Sequence, residues 1–135
     1  MSLKSIRALF SDCPSSHVFK DGRGCDYIPW QLQCDEMNLL FGQHMWTLEV
    51  YHETLKCLHC EPGCVAYGVH GKLTVDTPEG QTMTKHGYGA DVSYLKDMGA
   101  AHVVASMGAH SIMMKRCAVQ LGRRMGLERY GGGDP

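Results

Sequence analysis

The segment Glu61-Pro62-Gly63-Cys64-Val65-Ala66-Tyr67-Gly68-Val69-His70-Gly71-Lys72-Leu73-Thr74-Val75-Asp76-Thr77-Pro78-Glu79-Gly80 reads as one strand between two turns. Val65, Tyr67, Val69, Leu73 and Val75 occupy alternate positions, the two-residue period that gives a strand one apolar face. Glu61-Pro62-Gly63 and Thr77-Pro78-Glu79-Gly80 place proline and glycine where tight turns need them. Upstream, Trp46, Leu48 and Val50 alternate in the same way. Downstream, residues 81–89 give a third strand ending in Gly87-Tyr88-Gly89. With connections this short, the three strands form an antiparallel meander.

Helical patterns flank the meander. Pro29 suits the first turn of a helix over residues 29–41, in which Trp30, Cys34, Met37 and Phe41 share a stripe, and Gly42 is placed to stop it. A long final helix is predicted over 97–121. Ala101, Ala105, Gly108 and Ile112 give it a narrow stripe of mostly small residues suited to close packing on a twisted sheet. Gly99 and Gly108 each weaken a helix by up to ~1 kcal/mol relative to alanine, so its first half is expected to be ragged or interrupted. Residues 11–26, with Pro14, Gly22 and Gly24, are expected to be a loop. The fold class is therefore α+β, a β-β-β-α core with a short helix before it. A three-stranded sheet has two open edges, and covering them with neighbouring subunits makes a ring or another homo-oligomer the expected assembly.

The chain has 135 residues, 44% hydrophobic and 20% charged, which suits one domain with a proper core. That domain is expected to span 1–130. Residues 131–135, Gly131-Gly132-Gly133-Asp134-Pro135, read as a flexible exit toward a tail that continues elsewhere. No segment approaches the ~20 consecutive apolar residues of a membrane span. Met1-Ser2-Leu3-Lys4-Ser5-Ile6-Arg7 lacks the apolar stretch of a secretory signal, so an intracellular protein with seven reduced cysteines is expected.

Thirteen lysines and arginines against fourteen acids give a formal net charge of -1. A nucleic-acid surface on such a chain must be local. Lys115, Arg116, Arg123, Arg124 and Arg129 supply one, with Glu128 the sole acid between Lys115 and Arg129. A cation pair mounted on a helix is held more reproducibly than one on a loose tail, and phosphate contacts give affinity without reading sequence. Arg116, Gln120 and Arg123 fall on one helical face at spacings of four and three. The bland alternative is that Lys115 and Arg116 are solvated charges favourable near a helix C-terminus.

The competing signal is Cys57-Leu58-His59-Cys60-Glu61-Pro62-Gly63-Cys64, in which Cys57, Cys60, Cys64 and His59 are candidate zinc ligands for a small regulatory or interaction module. Against it, there is no second Cys-x-x-Cys pair, and Cys57 and Cys60, three residues apart, face opposite sides of a regular strand. His86, His102 and His110, and Asp91 and Asp97, lack acidic partners at useful spacing, which argues against metal or nuclease chemistry. Neither Gly22-Arg23-Gly24 nor Gly87-Tyr88-Gly89 belongs to a nucleotide-binding loop. No catalytic residue and no cofactor is expected.

Several weak marks in the right order carry a resemblance. Ser15-Ser16, Tyr27-Ile28, Phe41-Gly42 with Trp46, Gly63, Gly87-Tyr88-Gly89, Lys115-Arg116 and Gly122 together make the chain similar, from Ser15 to about Gly122, to the annealing domain of the Rad-fifty-two family of single-strand annealing proteins. Spacing from Ser15 to Gly89 needs no gap, and one extra residue is needed before Lys115. The resemblance implies a ring-forming, non-catalytic protein that binds single-stranded DNA between sheet and long helix and anneals complementary strands in recombination and double-strand break repair; a recombinase or a single-strand binding protein is a candidate further partner. It implies that Lys115 and Arg116 hold phosphates and that Tyr27 lies against the strand. His17 stands where the family has an arginine, with Lys20 and Arg23 near enough to substitute. Val119 replaces another arginine, and Arg123 one turn on is placed to take over. Cys64 replaces a lysine of an outer site, and Lys96 fits a second one. An RNA-binding protein on the same scaffold would look alike, since phosphate grip and stacking act on both polymers.

Overall fold

The protein was analysed as a computed structural model that describes residues 4–11, 13, 15–20 and 26–125. In chain order these form α1 (Lys4–Leu9), a 3-10 turn (Ser15–His17), β1 (Phe19–Lys20), β2 (Asp26–Tyr27), α2 (Trp30–Phe41), β3 (Trp46–Glu61), β4 (Cys64–Asp76), β5 (Thr82–Ser93), α3 (Met98–Val119) and a closing 3-10 turn (Arg123–Met125). The large sheet has the order β3-β4-β5, so β3 and β5 are its edges, and β1 and β2 pair as a separate antiparallel ribbon. The α+β class and the β-β-β-α core are as the sequence predicts.

The turns form where the residues dictate. Pro62 and Gly63 alone separate β3 from β4, and Gly63 sits at φ +82°, a conformation that strains any L side chain. Gly42 ends α2 at φ +106°, its N–H donating to the Asn38 carbonyl at 3.0 Å. The adjoining corner is fixed by aromatic packing. Trp30 and Trp46 meet edge to face at 6.1 Å, and Trp46 Nε1 donates to Asn38 Oδ1 at 2.8 Å.

The chain divides into two compact units. One comprises Met1–Thr47, Leu73–Lys85 and Ala118–Pro135. Its buried apolar residues include Leu9, Ile28, Met37, Phe41, Leu73, Val75, Leu121 and Met125. The buried side of α2 is not purely apolar. Gln33 and Glu36 lie on it beside Met37 and Phe41, whereas Trp30 and Cys34, predicted for the stripe, are half-buried. Burial and the neighbouring Asp35 push the Cys34 thiol up to about 11.

The other unit comprises Leu48–Lys72 and His86–Cys117. Here Ala101, Ala105, Ala109, Met113 and Cys117 are fully buried, a stripe with a period of four. On a helix of 3.6 residues per turn that stripe drifts by about 40° per step, which lets it follow a twisted sheet. The predicted stripe left this line after Ala105, at Gly108 and Ile112. Val65 of β4 packs with Ala101 and Ala105, with Tyr67 and Met98 at the margin. On β5, Gly87 and Gly89 let the helix come close. A Cβ on Gly89 would collide with the Ala109 carbonyl and the Met113 N–H.

Two local expectations are corrected. The first half of α3 is continuous, because Gly108 serves packing: a Cβ there would run into the Asp91 carboxylate, so a larger residue would push the helix off β5. Asp97 starts the helix, its Oδ1 accepting from the Ala100 N–H at 3.3 Å. The third strand also runs four residues past Gly89, to Ser93.

Candidate nucleic-acid interface

Lys115 and Arg116 lie in the last turn and a half of α3, between the buried Met113 and Cys117. Arg116, one place before Cys117, flanks the buried stripe, whereas Lys115, two places from Met113 and from Cys117, projects from the other side of the helix; both side chains are half-buried. Arg116 Nη1 reaches the Tyr88 carbonyl of edge strand β5 at 3.4 Å. Desolvation holds the Lys115 ammonium below its ordinary pKa of 10.5. An arriving phosphate would favour the charged form, so a polyanion gains more from this lysine than from one already solvated.

On the face of the sheet turned from α3, aromatic rings line up. Tyr88 lies over Gly68 and packs on His70 at 4.5 Å, and Tyr51 stacks with His86 at 6.5 Å. Only glycine at position 68 leaves room for the Tyr88 ring. Lys96 is exposed in the bend between β5 and α3.

The remaining predicted residues belong to the other unit. Lys20 pairs with Asp26 and Phe19 with Tyr27 in the β1–β2 ribbon, and the Phe19 and Tyr27 rings sit 6.1 Å apart. Lys20 is exposed and Tyr27 half-buried. Residues 11–26, expected as a loop, thus include a short ladder in which Phe19 and Tyr27 share one face and Lys20 takes the other. His17 Nδ1 lies 3.8 Å from Glu36 Oε1, which gives it a role within the protein. Arg123 stands in the closing 3-10 turn, and Arg23 and Arg129 fall outside the described residues, as does the exit at 131–135.

Sequence reasoning missed the partner of Arg124. Its guanidinium grips Glu36 with two hydrogen bonds, Nε to Oε2 at 3.0 Å and Nη2 to Oε1 at 3.1 Å. Gln33 Nε2 donates to the Met125 carbonyl at 3.1 Å beside it. Two polar residues on the buried side of a helix with an apolar stripe, Gln33 and Glu36, were the available signal.

The cysteine hairpin departs from its predicted geometry. Cys57 and Cys60 both lie close enough to the Tyr67 hydroxyl to push its pKa up, after burial, which does most. The irregular strand therefore does not keep them on opposite sides. Cys60 Sγ is 3.6 Å from His102 Nε2, and His102 Nδ1 is 2.8 Å from the Tyr67 hydroxyl. Cys64 is turned elsewhere, with His59 and Glu61.

No helix among the described residues is long and apolar enough to cross a membrane. No curated protein matches the chain. The sequence model of the Rad52/22 family double-strand break repair protein matches residues 6–133, nearly the whole chain, and together with the β-β-β-α core this match shows that the protein belongs to that family of DNA repair and recombination proteins.

Proposed function

We propose that this protein binds single-stranded DNA and anneals complementary strands during recombination and double-strand break repair, without catalysing a chemical step. The observation that carries the proposal is the placement of Lys115 and Arg116: adjacent cations, partly open to solvent, on a rigid helix of a protein whose family repairs double-strand breaks. A strand-annealing protein must hold the sugar-phosphate backbone and leave base edges free, and phosphate contacts do this without reading sequence. Tyr27 and Phe19 offer stacking surfaces worth ~1–3 kcal/mol per base with any base, and Lys20, on the other face of the same ribbon, adds charge. Lys96, Arg123 and Arg23 are proposed as further phosphate contacts, with His17 contributing least because Glu36 engages it.

Self-association into a ring is part of the proposal. Among the described residues, neither edge of the three-stranded sheet has a further strand partner. Val103, Val104 and Met107 stand exposed on α3, with Tyr94 and Leu95 exposed just before it. Val103 and Val104 lie four and three places before Met107, so these three are neighbours on the helix, and exposed apolar clusters of this kind mark protein contacts. A single-strand binding protein or recombinase would be a further partner, within the cell.

The test is annealing of complementary fluorescent oligonucleotides, with native mass spectrometry on the same sample. Faster annealing than the strands achieve alone, by an assembly of many subunits, is expected. A strict monomer at micromolar concentration, or no acceleration by a protein that binds the strand, overturns the reading. Competition between oligothymidine and oligouridine separates DNA from RNA.

A further inference from the structure

The hairpin tip holds a second chemistry, independent of the DNA reading. His59, Glu61 and Cys64 each offer one donor atom, and the three atoms lie within 4.8 Å of one another. His59 Nε2 and Glu61 Oε1 are 3.2 Å apart. The rule of alternation brings them together. Residues 59 and 61 share a face of β3, and the two-residue turn at Pro62-Gly63 sets Cys64 opposite Glu61 on that face. Cys60, between them, turns to the other side and meets His102. The ligand set read from the sequence, Cys57, Cys60, Cys64 and His59, is therefore split, and Glu61 was not in it.

We propose that His59, Glu61 and Cys64 form a binding site for a borderline divalent metal ion, zinc first. One imidazole, one carboxylate and one thiolate suit zinc, whereas magnesium and calcium prefer oxygen alone. Tetrahedral zinc with bonds of ~2.0–2.3 Å needs donors ~3.4–3.6 Å apart. The His59–Glu61 pair, at 3.2 Å, is within a few tenths of an ångström of that spacing, and Cys64 needs to close by about 1.2 Å at most to meet it. His59 and Glu61 are exposed and Cys64 half-buried, so these side chains have room to turn. Three protein ligands leave one position for water. The carboxylate and thiolate supply two negative charges against the ion. Cys64 gives up its thiol proton on binding, so affinity rises with pH. The metal would tie β3 to β4 across the turn, a cross-link at the tip of the hairpin.

The full chain, stripped with a chelator, is titrated with zinc against a chromogenic competitor, and with cobalt to read a thiolate-to-metal absorption band. One zinc per chain is expected, with a rise in melting temperature that excess chelator reverses. Cys64→Ser should abolish the cobalt band, and Cys64→Ser, His59→Ala and Glu61→Gln should each weaken zinc at least tenfold while leaving the apoprotein's melting temperature unchanged. Cys57→Ser and Cys60→Ser should leave zinc affinity unchanged. Absence of stoichiometric zinc binding overturns the proposal, as does loss of binding that follows Cys57 and Cys60 instead of Cys64. Oligothymidine binding in chelator is measured in parallel, so the metal site and the DNA reading stand or fall separately.

Discussion

Replacing Lys115 and Arg116 together with alanine gives a prediction whose size follows from counterion release. Each cation is placed to neutralise one phosphate per engaged subunit. For single-stranded DNA the logarithm of affinity falls with the logarithm of salt by ~0.7 per phosphate neutralised, so the double variant should lose ~1.4 from the slope. Between about 50 and 200 mM salt, a fourfold change, the affinity gap between parent and variant should then shrink by about sevenfold. On binding, Arg116 exchanges a long 3.4 Å contact to the Tyr88 carbonyl for a phosphate, and Lys115 is held where its charge is poorly solvated. The assay is fluorescence anisotropy of labelled oligothymidine over a salt series, analysed per engaged subunit, with circular dichroism to confirm the fold. A folded double variant whose slope equals the parent's would remove these residues from the interface, whatever its affinity at one salt concentration.

Arg124→Ala should act on the fold alone: it strips Glu36 of a two-pronged partner in a largely buried setting, which destabilises by about 2–3 kcal/mol in denaturant titration while leaving the salt slope of DNA binding unchanged. Gly89→Ala should lower the melting temperature sharply, since its methyl meets α3 backbone, whereas Gly99→Ala, whose nearest neighbour is Asp97 Oδ1 at 3.5 Å, should stabilise by about 0.5 kcal/mol. Lys115→Met should raise thermal stability and weaken DNA binding at once. The folded pKa of Lys115 lies below 10.5, so the unfolded chain binds more protons between the two values and stability rises with pH through that alkaline window; the methionine variant should lose that rise.

The meander and both long helices were legible because period and punctuation agree in them. Val65 to Val75 alternate between two turns, and Pro29 and Gly42 bracket α2. What was not legible depended on contacts distant in sequence. Gly108 counts against a helix by local propensity, and only the Asp91 carboxylate pressed against it shows why the helix needs it. Gln33 and Glu36 look like solvent-facing residues until Met125 and Arg124, some ninety positions on, reach them. The hairpin cysteines were judged by the parity of a regular strand. β3 is irregular: the Thr54 hydroxyl takes the His70 N–H at 2.9 Å. At the interface, the Lys115-Arg116 pair stood out as charge on a helix, but its half-burial depends on the packing of α3 and no sequence period reports it.

Two adjacent cation pairs near the end of the chain, Lys115-Arg116 and Arg123-Arg124, are nearly interchangeable as text, and their surroundings separate them. Arg124 has a carboxylate of this chain in a two-pronged grip, so it already has a counter-charge and would have to break that pairing to serve a ligand. Lys115 has surroundings that on balance disfavour its charge, as its lowered pKa records. A group stabilised by its own fold gains little from a phosphate, because the new contact replaces an old one of equal quality. A group the fold leaves short of stabilisation gains the whole difference on binding, and holds that advantage ready because the helix has fixed its position beforehand. The same desolvation makes Lys115 a liability in the free protein, which is why stability and DNA affinity should move in opposite directions when it is replaced by a side chain of similar length without charge.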